Sequence, residues 1–200
     1  MKPDIQGTDP FRFWIWDNFH PTLTPNEQRM CIATQEWEVS YNNDTEHGKK
    51  TARRVESMEP AIRDAIRRLR SIETVRAMTA ATGIADLEDD PTMHGGGLHY
   101  STGGSFLQAH VDYERHPIIP DRERRINLIL FLHCRWETFW GGKLQLCDMH
   151  GRPQHGIYPT PGMLVAFECG PSSMHSVQLI KGEDAHRLSC AIYYLAPARP

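Results

Sequence analysis

Phe11, Phe13 and Ile15 alternate with Arg12, Trp14 and Trp16, a period-two pattern that predicts a short strand ahead of the Asp17-Asn18 turn. A helix is expected next. Thr24 suits the N-cap, Pro25 the first helical position, and Glu27 closes a T-x-x-E capping box before Met30, Ala33 and Trp37. Its predicted end lies near Tyr41-Asn42-Asn43. Ile62, Ala65, Ile66, Leu69 and Ile72 mark one buried face of a second helix, with Pro60 in its first turn. The opposite face carries Arg63, Arg67, Arg68 and Arg70, but the interspersed Asp64 and Glu73 make it read as a solvated surface. After Gly83 the pattern shifts to short β-like segments separated by Gly and Pro: 97–102, 106–112, 126–133, 143–147, 163–167, 175–180 and 187–195. Strands without intervening helices predict an antiparallel sandwich or barrel, with the two N-terminal helices packed on one sheet. Neither an internal repeat nor a low-complexity linker divides the chain. The expectation is one domain over 1–200, with helical support over roughly 1–90 and a β core over roughly 96–197.

Composition narrows the class. At 200 residues, 40% hydrophobic and 24% charged, with 15 Gly and 14 Pro, the chain is globular. Its 22 Lys+Arg against 25 Asp+Glu give a net charge of −3, so no global basic field favours nucleic acid or an anionic membrane. The longest apolar runs, 126–132 and 163–167, fall far short of the roughly 20 residues that span a bilayer. The opening MKPDIQGTDPF has no apolar signal core, and the expected address is cytoplasmic. The five cysteines (Cys31, Cys134, Cys147, Cys169 and Cys190) contain no CxxC pair and read as free thiols.

Among 11 histidines, the His110-Val111-Asp112 triplet lies in a strand-like segment, where residues i and i+2 emerge on one face. An isolated H-x-D is a weak signal. Its company strengthens it: His175 opens a later strand, and twelve positions on Arg187 opens another, with Ser189 on the same face. Two imidazoles and a carboxylate can occupy one face of a six-coordinate iron, leaving three positions for a bidentate cosubstrate and O2. A cosubstrate with a remote carboxylate wants a fixed cation, and the planar fork of Arg187 suits that role, with the Ser189 hydroxyl beside it.

These residues sit within blocks FWIWDNFHPTLTPNE, HYSTGGSFLQAHVD, RRINLILFL, WETFWGGKLQL, YPTPGMLVAF, MHSVQLI and RLSCAIYYL. In order and approximate spacing, the blocks resemble the iron(II)- and 2-oxoglutarate-dependent dioxygenases, specifically the prolyl 4-hydroxylase-like branch. The resemblance implies a mainly β fold with supporting helices, a double-stranded β-helix (jelly roll, cupin-like). It implies His110, Asp112 and His175 as iron ligands, and Arg187 with Ser189 on the distal carboxylate of 2-oxoglutarate. Tyr100, ten positions before His110, matches a tyrosine that lines the cosubstrate pocket in relatives. The implied cofactors are Fe(II), 2-oxoglutarate and O2, with ascorbate as an accessory. The implied activity is hydroxylation of an unactivated C–H bond, with oxidative decarboxylation of 2-oxoglutarate to succinate and CO2. The substrate is an amino acid, a peptidyl residue or a small metabolite; oligomeric state is left open.

Two departures are visible. Relatives often read Tyr-Leu-Asn where this chain has Phe131-Leu132-His133, and Asn127, on the same strand face as 129 and 131, is the residue expected to compensate. Asp112 is retained, whereas halogenating relatives replace it with a small residue, so hydroxylation is favoured. Nucleic-acid demethylases of the superfamily carry a second arginine six residues beyond the first, where this chain has Tyr193. The alternatives are such a demethylase, a metal-binding jelly-roll sensor without turnover, or a zinc-loaded barrel. Cys147, His150 and His155 offer a zinc-like spacing, yet Gly151-Arg152-Pro153 reads as a hairpin connection. Segments 41–51 and 113–124 read as loops suited to gating.

Overall fold

In the computed structural model, which describes residues 1–199, Thr24 caps the first helix as its chemistry requires. Its Oγ1 accepts from the Glu27 N–H at 3.2 Å, and the Glu27 carboxylate accepts from the Thr24 N–H at 2.7 Å. This helix, α1 (Pro25–Thr34), stops well before the expected end near Tyr41, because Gln35 turns extended and releases Trp37 to stack on Tyr100. The second predicted helix is two. α2 (Pro60–Leu69) buries Ile62, Ala65, Ile66 and Leu69; Ser71 then caps α3 (Ile72–Thr82), leaving Ile72 55% exposed. α3 ends at Gly83, whose φ of 71° completes a left-handed C-cap. Three helices, not two, therefore support the sheet.

The strands are β1 (Ile5–Gly7), β2 (Phe13–Trp16), β3 (Val39–Asn42), β4 (Glu46–Ala52), β5 (Glu88–Asp89), β6 (Gly97–Thr102), β7 (Phe106–His110), β8 (Arg122–Phe131), β9 (Leu144–Cys147), β10 (Pro153–Ile157), β11 (Leu164–Glu168), β12 (His175–Val177) and β13 (His186–Pro197). All pair antiparallel, in the order β1-β2-β11-β8-β13-β6-β4-β7-β12-β9-β10, with β3 on β4 and β5 on β13. The path curls until its two ends face one another. Phe13, Ile15, Phe131, Val165 and Phe167 from one end share a core with Leu144, Leu146 and Ile157 from the other. On the convex side, Leu98, Leu128, Leu130, Leu188, Ile192 and Tyr194 pack against Cys31, Ile62, Ile66, Leu69 and Met78 of the three helices. Each such fully buried aliphatic side chain contributes roughly 1.5–3 kcal/mol. β2 is buried on both faces, its tryptophans toward the helices and Phe13 and Ile15 toward the barrel interior, so its alternation does not mark an exposed face.

Of the two segments read as loops, 113–121 is a loop leading into β8, whereas 41–51 is not. Residues 41–51 belong to the β3–β4 hairpin, and β4, paired with β6 on one side and β7 on the other, links the two halves of the sheet. Their polarity reflects a hairpin with one wet face. Within 113–124, His116 is wholly buried: its Nδ1 accepts from the Ile118 and Ile119 N–H groups, so its Nε2–H donates to Asp90 at 3.2 Å. This connection is anchored to the body of the sheet. Among the described residues, no helix is long and apolar enough to cross a membrane.

Candidate functional site

β7 and β12 pair so that His110 and His175 stand directly opposite one another, with ring centroids 4.3 Å apart. Each ring is fixed in the same way. His110 Nδ1 donates to the Gln108 carbonyl and His175 Nδ1 to the Ser173 carbonyl, both at 3.0 Å. A carbonyl can only accept, so the protons sit on Nδ1 and both Nε2 lone pairs point inward. There they meet Asp112: His110 Nε2 lies 3.7 Å from Oδ1, and His175 Nε2 3.8 Å from Oδ2. Asp112 lies two residues beyond the end of β7, not in the strand as its spacing suggested, and the Asn127 amide on β8 holds its Oδ2 at 2.9 Å. This is the one cluster of three or more potential metal-binding side chains among the described residues, its donor atoms within 4.8 Å of each other. Cis donors about 2.1 Å from one ion are ~3 Å apart, so the 3.7 and 3.8 Å edges here would tighten by somewhat under 1 Å around an ion.

The electrostatics suit a cation. Burial opposes the charged form of Asp112, but in the acid range, where the imidazoles are protonated, their charge, the Asn127 amide and Arg124 outweigh it and hold the carboxyl below its ordinary pKa. Burial lowers the pKa of His175 against the pull of Asp112, which keeps the imidazole neutral and ready to ligate. Asn127→Leu is expected to preserve folding and to weaken metal affinity about 10–100-fold, measured by anaerobic Fe(II) titration. Unchanged affinity would show that the amide does not orient the carboxylate.

The other end of the pocket presents a buried cation. Arg187 is 5% exposed; its Nη1 donates to Ser189 Oγ at 3.2 Å, and its guanidinium lies 5.0 Å over the Phe131 ring. Its Nε has no partner, and burial alone pushes its pKa down to about 10. A buried arginine without a carboxylate is costly unless an anion completes it. The pocket that contains it also contains His110, Asp112, Asn127 and His175.

Tyr100 does not line this pocket. It faces the helices, stacked on Trp37 at 5.4 Å between ring centroids and hydrogen-bonded to His186 Nδ1 at 2.9 Å. The reason is strand parity: Arg187 pairs with Ser101 and Ser189 with His99, so 99 and 101 share the pocket face, while Tyr100 pairs with Leu188 on the opposite one. His99 and Ser101 were therefore missed, although the parity of Arg187 and Ser189 would have identified them. Glu46 and Lys49, an ion pair on β4, also line the pocket, as does Tyr193. Tyr193 packs under the Arg124 guanidinium at 3.9 Å, and burial, then the Asp112 carboxylate, push its phenol far above the ordinary value. It remains a neutral donor facing that carboxylate. Cys147, His150 and His155 form no such cluster among the described residues: they lie on the β9–β10 hairpin, with Cys147 beside Ser176 and His155 against Phe13.

The same architecture occurs in known proteins. A prolyl 4-hydroxylase from Pseudomonas putida superposes with a TM-score of 0.62 at 20% identity, over 94% of this chain and 93% of that one. The viral collagen prolyl hydroxylase of Paramecium Bursaria Chlorella virus-1, solved with 2OG, gives 0.60 at 14% identity, over 94% and 98%. A Trichoplax adhaerens prolyl hydroxylase, solved with a hypoxia inducible factor peptide fragment, gives 0.58 at 16% identity, over 92% and 83%. These likenesses establish a jelly-roll fold shared with prolyl hydroxylases. In sequence, the prolyl 3-hydroxylase OGFOD1 of Mus musculus is 35% identical over 80 residues, 38% of this chain, and the chain spans only 15% of that protein's length. The profile of the 2OG-Fe(II) oxygenase superfamily matches residues 95–195, which include His110, Asp112, His175 and Arg187. The chain belongs to the 2OG-Fe(II) oxygenase superfamily.

Proposed function

We propose that the chain is an Fe(II)- and 2-oxoglutarate-dependent hydroxylase with residues 96–197 as its catalytic core. The observation that carries this reading is a pair of opposed ends in one pocket: two Nδ1-anchored imidazoles with a carboxylate, and a buried arginine with no acidic partner among the described residues. His110, Asp112 and His175 would hold iron, and Arg187 with Ser189 the distal carboxylate of 2-oxoglutarate. Iron and 2-oxoglutarate together supply the oxidising chemistry, in which O2, 2-oxoglutarate and a C–H bond yield succinate, CO2 and a C–OH group.

The protein's contribution is placement. The carbonyl contacts of His110 and His175 fix both rings, and the Asn127 amide orients Asp112, so three donors face one point before any ion binds. Phe167 packs on the His175 ring at 4.7 Å between centroids, and Ile129 and Leu144 add apolar wall. These surfaces exclude water from the reacting region. Tyr193 and Asn127 supply donors to Asp112 and keep its charge in place.

The substrate we favour is a prolyl residue in a peptide, because the solved relatives are prolyl hydroxylases and one of them holds a peptide. Free amino acids and small metabolites are the other members of the class. The test couples succinate release to a panel of prolyl peptides, free proline and other amino acids, with product mass measured. At least one peptide is expected to gain 16 Da with one succinate per hydroxylation. Succinate formed at the same rate with every addition, and no mass gain anywhere, would contradict the prolyl-peptide reading.

A further inference from the structure

His99 stands at the arginine end of the pocket with an unmet ring nitrogen. The Gly95-Gly96-Gly97 run lets β6 start tightly between its neighbours: Gly97 has φ 109°, and a Cβ there would strike the Ala52 carbonyl. β6 then sets His99 opposite Ser189 of β13 on one side and Thr51 of β4 on the other. The residue as a whole keeps some exposure, but its Nε2 is shielded from water and has no hydrogen-bond partner, while the other ring nitrogen faces the Gly96 carbonyl. That carbonyl can only accept, which favours placing the single proton of a neutral ring on Nδ1. His99 lines the pocket, and in this tautomer its unpartnered Nε2 carries a lone pair and cannot donate to a carboxylate.

We propose that His99 takes up a proton as the dianionic cosubstrate binds and becomes, with Arg187, a second cationic contact for its distal carboxylate. The proposal rests on the assignment of Arg187 to that carboxylate. The charged groups facing His99 are Lys49 and Glu46 from β4 and Arg187 from β13; His110, Asp112, His175 and Tyr193 occupy the metal end of the same pocket. Without ligand, burial first, then Lys49 and Arg187, hold the imidazole neutral, with its pKa well below the usual value. A dianion placed between Arg187 and His99 cancels the arginine's repulsion and adds attraction, so the bound state favours the imidazolium. The balance is one proton drawn from solvent per cosubstrate bound. Proton linkage then makes affinity fall as pH rises through the bound-state pKa, at most tenfold per pH unit.

The test is calorimetric titration of 2-oxoglutarate into Mn(II)-saturated protein between pH 6 and 8, in buffers of different ionisation enthalpy. With the metal bound, His110, Asp112 and His175 are ligated and do not exchange protons. The wild type is expected to take up close to one proton at the acid end and progressively less above it, with Kd rising in step. H99Q, a neutral side chain, is expected to bind with no proton uptake and a flat pH profile, weaker than wild type by about tenfold at pH 6. Wild-type binding with no proton uptake anywhere in this range, or H99Q retaining the wild-type uptake, would overturn the proposal while leaving the Arg187 assignment intact. If the wild type does not bind 2-oxoglutarate, the Arg187 assignment fails and this proposal falls with it.

Discussion

Asp112→Ala is expected to abolish succinate formation. Losing a hydrogen-bond partner of a metal ligand costs about 10–100-fold in affinity, so losing one of three direct donors should cost on the order of 10³-fold or more. The carboxylate is also the only negative charge of the three, and it would balance a divalent ion held between two neutral imidazoles. Asp112 lies past the end of β7 and takes part in no strand pairing, so the substitution removes no ladder hydrogen bond and the fold should survive. The measurement pairs anaerobic Fe(II) titration with succinate assay, using circular dichroism to confirm folding. Succinate formation within tenfold of wild type would show that the cluster is not the metal site.

Arg187→Met should separate cosubstrate binding from metal binding and from stability. Truncating one partner of a buried, hydrogen-bonded charge pair costs about 2–5 kcal/mol, so 2-oxoglutarate affinity is expected to fall at least 100-fold, equivalent to about 2.7 kcal/mol. Fe(II) affinity should stay within a few-fold, because Arg187 contacts none of the three metal-site residues; it touches Ser189 and the Phe131 ring. The ligand-free protein is expected to lose no thermal stability and can gain some. Its guanidinium is buried without a carboxylate, and methionine removes that uncompensated charge while filling similar space. A parallel loss of Fe(II) and 2-oxoglutarate affinity would contradict the assigned role, and a sharp fall in melting temperature would make Arg187 a structural residue.

The metal cluster was legible because strand chemistry and ligand chemistry agree there. His110 and His175 lie on strands that pair, and Asp112 completes an H-x-D triplet. What the triplet could not show is that Asp112 leaves the strand and depends on Asn127, fifteen residues away. Asn127 lines the pocket with Ile129, two positions along β8, and its amide donates to the Asp112 carboxylate. Tyr100 was misplaced because its distance from His110 counts across the Gly103-Gly104 turn, where one added residue reverses parity without changing the look of the motif. Counting from the inward pair Arg187 and Ser189 gives the correct face.

The helical half was read less well for a local reason. Ile72 continues the apolar spacing of α2, so a break at Arg70-Ser71 is hidden from periodicity; only the Ser71 cap on Thr74 signals the restart. Likewise β3 and β4 are mostly polar, because their outward positions are wet and their inward ones, Glu46 and Lys49, line the pocket. A hydrophobicity pattern cannot distinguish such a hairpin from a loop.

If His110, Asp112 and His175 hold iron and Arg187 grips the far carboxylate of 2-oxoglutarate, metal and cosubstrate must meet in one site. The most direct test is anaerobic addition of 2-oxoglutarate to the Fe(II)-loaded protein, followed in the visible spectrum. A weak metal-to-ligand charge-transfer band is expected to saturate at one 2-oxoglutarate per chain in the wild type and to be absent in His175→Ala. No band from folded, iron-loaded wild type at saturating 2-oxoglutarate would contradict this shared site, as would an undiminished band in the His175 variant.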